Sequence, residues 1–153
     1  MGIREAYKYL DTWFKSLMKK WAVPFLRGSF AFIFIWFGIL KPLRLSPAES
    51  IVLITVKWLP LFEPVQWLHI IGWWEVAIGL TFLFKKTTKI AIALLSVQMA
   101  GTFMPVFLLP EVTFQDGQIY QPTLEGQYII KNLMIIGAAL VVGGTTYNYR
   151  LKS

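Results

Sequence analysis

Apolar residues in this chain fall in long unbroken runs, not in short alternating groups. Four runs are as long as a bilayer is thick: residues 22–40, 65–84, 90–109 and 128–147. About 20 apolar residues at about 1.5 Å each cross roughly 30 Å of hydrocarbon, so each run predicts a spanning helix. Their formal charges are Arg27 in the first, Glu75 in the second and Lys131 in the fourth. Punctuation closes every run. Pro42 and Pro47 follow the first, Pro64 precedes the second, and Lys85 and Lys86 put cations at its C-terminal end, where the helix dipole favours them. Pro110 ends the third run and the stretch from Pro122 to Gln127 opens the fourth.

Two further segments carry helical patterns without being able to span. In residues 1–21, Ile3, Tyr7, Leu10, Phe14, Leu17 and Trp21 recur at helical spacing while Lys8, Lys15 and Lys19 lie largely elsewhere. This predicts an amphipathic helix lying on an anionic cytoplasmic membrane surface. Charges spread throughout and no small-residue cleavage site follows, so the segment does not read as a cleavable signal; Ala6 also breaks the myristoylation pattern. The other segment, residues 47–59, opens on Ser46-Pro47-Ala48-Glu49, the pattern of a capping box with proline at the first helical position. It predicts a short external helix in the interface or against the bundle, stopped by Pro60. A weak repeat is also visible: Gly38, Pro42 and Pro47 recur at the same spacing as Gly101, Pro105 and Pro110.

Composition strengthens the membrane reading. Of 153 residues, 56% are hydrophobic and only 15% charged, with mean hydropathy +0.57, whereas a water-soluble domain is about a quarter charged. The expected fold class is therefore an all-α membrane protein, a four-transmembrane-helix bundle at residues 22–147 followed by a basic cytoplasmic tail at 148–153. The absence of cysteine excludes disulfides, thiolate nucleophiles and cysteine-held clusters. A single histidine, His69, excludes a two-histidine metal site, and it reads as an interfacial residue; no metal and no intrinsic cofactor are expected.

The net charge of +7 would suit nucleic acid, but its distribution points to topology instead. Arg4, Lys8, Lys15, Lys19 and Lys20, then Lys85, Lys86 and Lys89, then Arg150 and Lys152 all fall on one side of the four runs. The loop from Glu111 to Gln127 is acidic without a basic residue. Basic short loops stay in the cytoplasm, so both termini are expected there, and no nucleic-acid partner is expected.

Polar groups at membrane depth are costly and need a reason. Glu75 lies about 16 Å into the second run, near the midplane, with Gly72 and Gly79 on its own face. Small residues there allow a neighbouring helix to approach closely. Gln98 falls at similar depth in the third run, and the first run aligns Arg27, Ala31, Phe34, Gly38 and Lys41 on one face. Lys131 and Asn132 sit toward the outer end of the fourth, and Lys41 is placed at that same outer level. The candidate ligand-binding set is thus Glu75, Gln98, Lys131, Asn132, Arg27 and Lys41. Glu75 would pair upward with Lys131 or downward with Arg27. The set serves either a cavity for a polar molecule or proton, or a structural ion pair. Trp58, Trp67, Trp73 and Trp74 read as an aromatic belt or lipid contacts.

Over about residues 25–145 the chain resembles the DoxX family of small four-helix bacterial membrane proteins, itself similar to the small membrane subunit of thiosulfate:quinone oxidoreductase. The resemblance rests on Arg27 opening the first run, on Gly38-Ile39-Leu40-Lys41-Pro42, and on Ser46-Pro47. It continues in Gly72-Trp73-Trp74-Glu75-Val76-Ala77-Ile78-Gly79-Leu80, Gly101-Thr102-Phe103 and Lys131-Asn132-Leu133. It implies a membrane subunit associated with a quinone-linked redox system, with a redox partner subunit holding the electron-transfer cofactor and with homo-oligomers as a further expectation. Alternatives from the residues themselves are a small-solute or proton transporter and a non-catalytic anchor or assembly subunit.

Overall fold

The computed structural model describes residues 2–150, without the side chains of Ile3 and of residues 146–150. Six α-helices make up the fold: α1 (Ile3–Leu40), α2 (Glu49–Val56), α3 (Pro64–Leu83), α4 (Thr88–Leu108), α5 (Pro110–Thr113) and α6 (Leu124–Arg150). Among the described residues no strand forms, only one isolated bridge between Phe114 and Pro122. Three helical stretches are long and apolar enough to cross a membrane: Arg4–Leu40, Lys85–Leu108 and Leu124–Thr145. α3 has 20 residues, but Gln66, His69, Glu75 and three tryptophans dilute its apolar character.

Side-chain contacts fix how the long helices run. Gly38 of α1 meets Gly72 of α3, Ile35 meets Gly79, and Phe30 stacks on Phe82 at 4.4 Å. As α1 ascends α3 descends, so the two are antiparallel. α3 and α4 are antiparallel too, since Trp74 Nε1 donates to the Leu94 carbonyl and Phe82 shares the core with Ala91. α4 and α6 complete the circuit through Leu95, Met99, Ala139 and Val142, and α6 returns to contact α1. The architecture is an up-down-up-down circuit around one apolar core.

Several sequence expectations need correction. Residues 1–21 are not a separate surface helix: α1 is one helix of 38 residues, about 57 Å, with Pro24 inside it. α2 is shorter than residues 47–59, and its N-cap is Ala48 without a side-chain cap bond. Ser46 Oγ instead accepts from the Ala48 N–H at 3.3 Å, while Glu49 is engaged by Arg44 at 2.5 Å, so no capping box forms. α2 nevertheless does not span; eight residues reach about 12 Å, and Thr55 and Val56 are buried where α2 packs on α3 and α4. The weak repeat has no structural counterpart. Gly38 is in backbone contact and Pro42 follows the end of α1, whereas Gly101 faces open space and Pro105 lies inside α4. The last three residues of the basic tail at 148–153 lie outside the described residues.

The acidic segment after α4 is ordered. Thr113, fully buried, donates through Oγ1 to the carbonyls of Pro105 and Leu109, both at 3.0 Å. Its own carbonyl packs against Gly126, which leaves no room for a side chain there. Thr123 Oγ1 donates to the Val112 carbonyl and accepts from the Gly126 N–H. A small hydrogen-bonded cap therefore closes the end of the bundle between α4 and α6.

Candidate functional site

The site is set by where α1 stops. Its last residue, Leu40, lies level with the middle of α3 and α4, because Gly38 and Lys41 meet Gly72 and Glu75, the latter eleven residues beyond the start of α3. Glycine is required at this crossing. A Cβ on Gly38 would stand 2.8 Å from the Gly72 carbonyl oxygen, and one on Gly72 would stand 2.6 Å from Pro42 Cδ. With no side chain between them the backbones touch, and Lys41 is delivered directly to Glu75.

Lys41 Nζ donates to Glu75 Oε2 at 2.5 Å, and Gln98 Nε2 donates to Glu75 Oε1 at 2.8 Å. Both carboxylate oxygens are thus engaged, one by a cation and one by a neutral amide, and the cluster ties α1, α3 and α4 together. Lys41 and Glu75 are buried and Gln98 is half-buried. Lys41 also caps α1, its N–H donating to the Gly38 carbonyl. Its ammonium therefore answers both the carboxylate and the negative end of the helix dipole. Burial strengthens the attraction, and the amide satisfies an oxygen that would otherwise lose its hydration without replacement.

The structure gathers three of the six candidates and separates the others. Neither cation named as a partner for Glu75 is one. Arg27 sits 14 residues before Lys41, about 21 Å along α1; its Nη1 donates to Thr88 Oγ1, and its buried Nη2 has no hydrogen-bond partner. Lys131 is exposed, with its ammonium 5.3 Å from the Tyr128 ring centroid. Asn132 turns back on its own helix, donating to the carbonyls of Tyr128 and Ile129. Lys41 was a candidate placed at the outer surface, on the assumption that α1 runs the full thickness; it is at the depth of Glu75 because α1 stops halfway. Trp74 is not a belt residue, since its indole bonds across to α4, while Trp58 and Trp73 do face outward.

Two cavities lie away from this cluster. An apolar one of about 210 Å³ opens between α4 and α6, among Leu95, Met99, Ile136 and Ala139. The other, about 780 Å³, is a groove along α1 from Leu17 to Phe32. Neither is lined by Lys41, Glu75 or Gln98. Fold and site together define a helical protein with three membrane-length helices and a buried ionic cluster. No family model matches this chain, and no curated protein or solved structure does either.

Proposed function

We propose that the chain is a four-span membrane subunit whose Lys41–Glu75–Gln98 cluster locks the bundle so that it can anchor and orient a partner protein at the bilayer. α3 is the fourth span in this reading, because its 20 residues are enough to cross and it runs antiparallel to both α1 and α4. The observation that carries the anchor reading is the closure of the cluster: both oxygens of Glu75 already have donors from within the chain. A carrier of protons or solutes needs that carboxylate to face a path.

The distribution of basic residues puts both termini in the cytoplasm in this reading, and the resemblance to DoxX proteins supplies the rest of the proposal, a bacterial inner membrane and a redox partner subunit that works with quinone. At Glu75 itself the residues present do not fit a quinone. Its headgroup needs donors for two carbonyls, and the donors here, Lys41 and Gln98, already serve the two oxygens of Glu75. No electron-transfer step is therefore derived through it.

Purification from native membranes in mild detergent tests the reading. A stoichiometric partner identified by mass spectrometry, retained in Glu75→Gln protein that stays folded, supports the anchor. Quinone extracted at about one per chain and lost in Glu75→Gln would instead make Glu75 a ligand-binding residue. Isolation of the chain without a stoichiometric partner would overturn the anchor role.

A further inference from the structure

Before Val23, the first residue of α1 packed against the core, the helix runs on through residues 3–22, about 30 Å. This arm carries an apolar stripe that its own chain does not cover: Tyr7 is 72% exposed, Leu10 52%, Phe14 52%, Leu17 40% and Trp21 54%. Counting Ile3 before them and Pro24 and Gly28 after them in the sequence, the positions alternate by four and three residues throughout. That spacing is the 3.5-residue repeat of a coiled-coil seam.

We propose that this stripe docks a second copy of the chain, the two arms winding into a parallel left-handed coiled coil. The parallel orientation rests on the membrane reading above, since two copies inserted alike present their arms side by side and in register. Leu10 and Leu17 then occupy the d positions, where leucine suits two strands, and Tyr7, Phe14 and Trp21 occupy the a positions. Trp13 and Met18 fall on the two flanks, so that Trp13 of one copy meets Met18 of the other in a favourable sulfur–aromatic contact. Stripe and flanks offer roughly 800 Å² per copy, the area of a stable interface.

Charge agrees with this occupant. Lys8, Lys15 and Lys19 take positions away from the seam, Lys15 is already paired with Asp11 on its own helix at 2.6 Å, and Lys20, on a flank, falls across from Phe25 of the other copy, so pairing the arms brings no lysines face to face. A lipid surface is the competing occupant. To lie on it the arm must turn sharply out of the bundle direction, and α1 continues as one helix through Pro24. Beside the seam, the groove among Leu17, Trp21, Phe25 and Gly28 leaves space for aromatic side chains from the second copy.

The chain has no cysteine, so single-cysteine variants report one position each. Oxidative cross-linking in native membranes should give at least tenfold more covalent dimer from Leu10→Cys or Leu17→Cys than from Lys8→Cys or Lys15→Cys. These positions are all exposed, so folding of the bundle is not at issue. In detergent, Leu17→Asp should shift the native mass from dimer to monomer while helical content stays unchanged. Equal cross-linking from both faces, absence of cross-linking from the seam, or quenching of Trp13 and Trp21 fluorescence by brominated lipid would overturn the proposal. Topology is read separately by impermeant labelling, so a wrong membrane orientation and a wrong interface give different failures.

Discussion

Lys41 brings three N–H donors to the end of a helix whose last carbonyls are themselves partly negative, and Glu75 meets it there with a buried carboxylate. Removing either partner leaves the other as an uncompensated buried charge, which costs far more than the pair itself contributes. Glu75→Gln and Lys41→Met should each lower thermal stability by an amount equivalent to roughly 3 kcal/mol, and the double variant should recover most of it. Lys131→Met should do nothing measurable, because Lys131 is exposed and rests on Tyr128. Unfolding midpoints of the four variants in one detergent check this; loss in Lys131→Met with none in Lys41→Met would contradict it. That Glu75 needs a cation was legible from its run alone, because a lone carboxylate at mid-membrane is costly. The identity of that cation is hidden in the sequence, because the runs do not show that α1 ends level with the middle of α3.

Among the elements, the close crossing of α1 and α3 depends on three glycines. Gly38 and Gly72 put backbone on backbone, and Gly79 sits against Ile35 and the Ala31 carbonyl. Adding a methyl at Gly38 must push the helices apart at the level of the ion pair, so Gly38→Ala should cost about 1–3 kcal/mol. Gly101, in the helical interior of α4 with nothing nearby, is the control: Gly101→Ala should raise stability by up to about 1 kcal/mol. Chemical denaturation of both proteins measures the contrast, and an equal loss in the two would show that the crossing is not tight.

The polar-and-small stripes containing Gly38, Gly72 and Gly79 could be read from spacing, since residues three and four apart share a helix face. The continuity of α1 could not. Apolar periodicity in residues 1–21 is the same whether that helix lies flat or continues into the next, and Pro24 suggests a break that α1 does not make. The ordered cap around Thr113 was equally hidden, because its bonds run from one hydroxyl to carbonyls four and eight residues away, a pattern with no periodic signature.

For the whole molecule, the apolarity of α1, α4 and α6 was visible in the runs of the sequence, and so was the length of α4 and α6. The antiparallel pairing of α3 with α4 follows from the Lys85–Thr87 turn, which joins them almost directly. What the runs concealed is the unequal depth of the helices. α1 ends halfway, and α2, with Thr55 and Val56 buried, packs against α3 and α4 in the connection that follows. The proposed course of the chain crosses a membrane four times, with the α3–α4 turn inside and the Thr113 cap outside. It is tested most directly by an impermeant thiol reagent applied to intact cells carrying Gln121→Cys or Lys86→Cys, both at exposed positions of a chain that has no cysteine of its own. Labelling of Gln121→Cys before lysis and of Lys86→Cys only after lysis is the predicted result; the reverse order, or labelling of both in intact cells, would contradict the account.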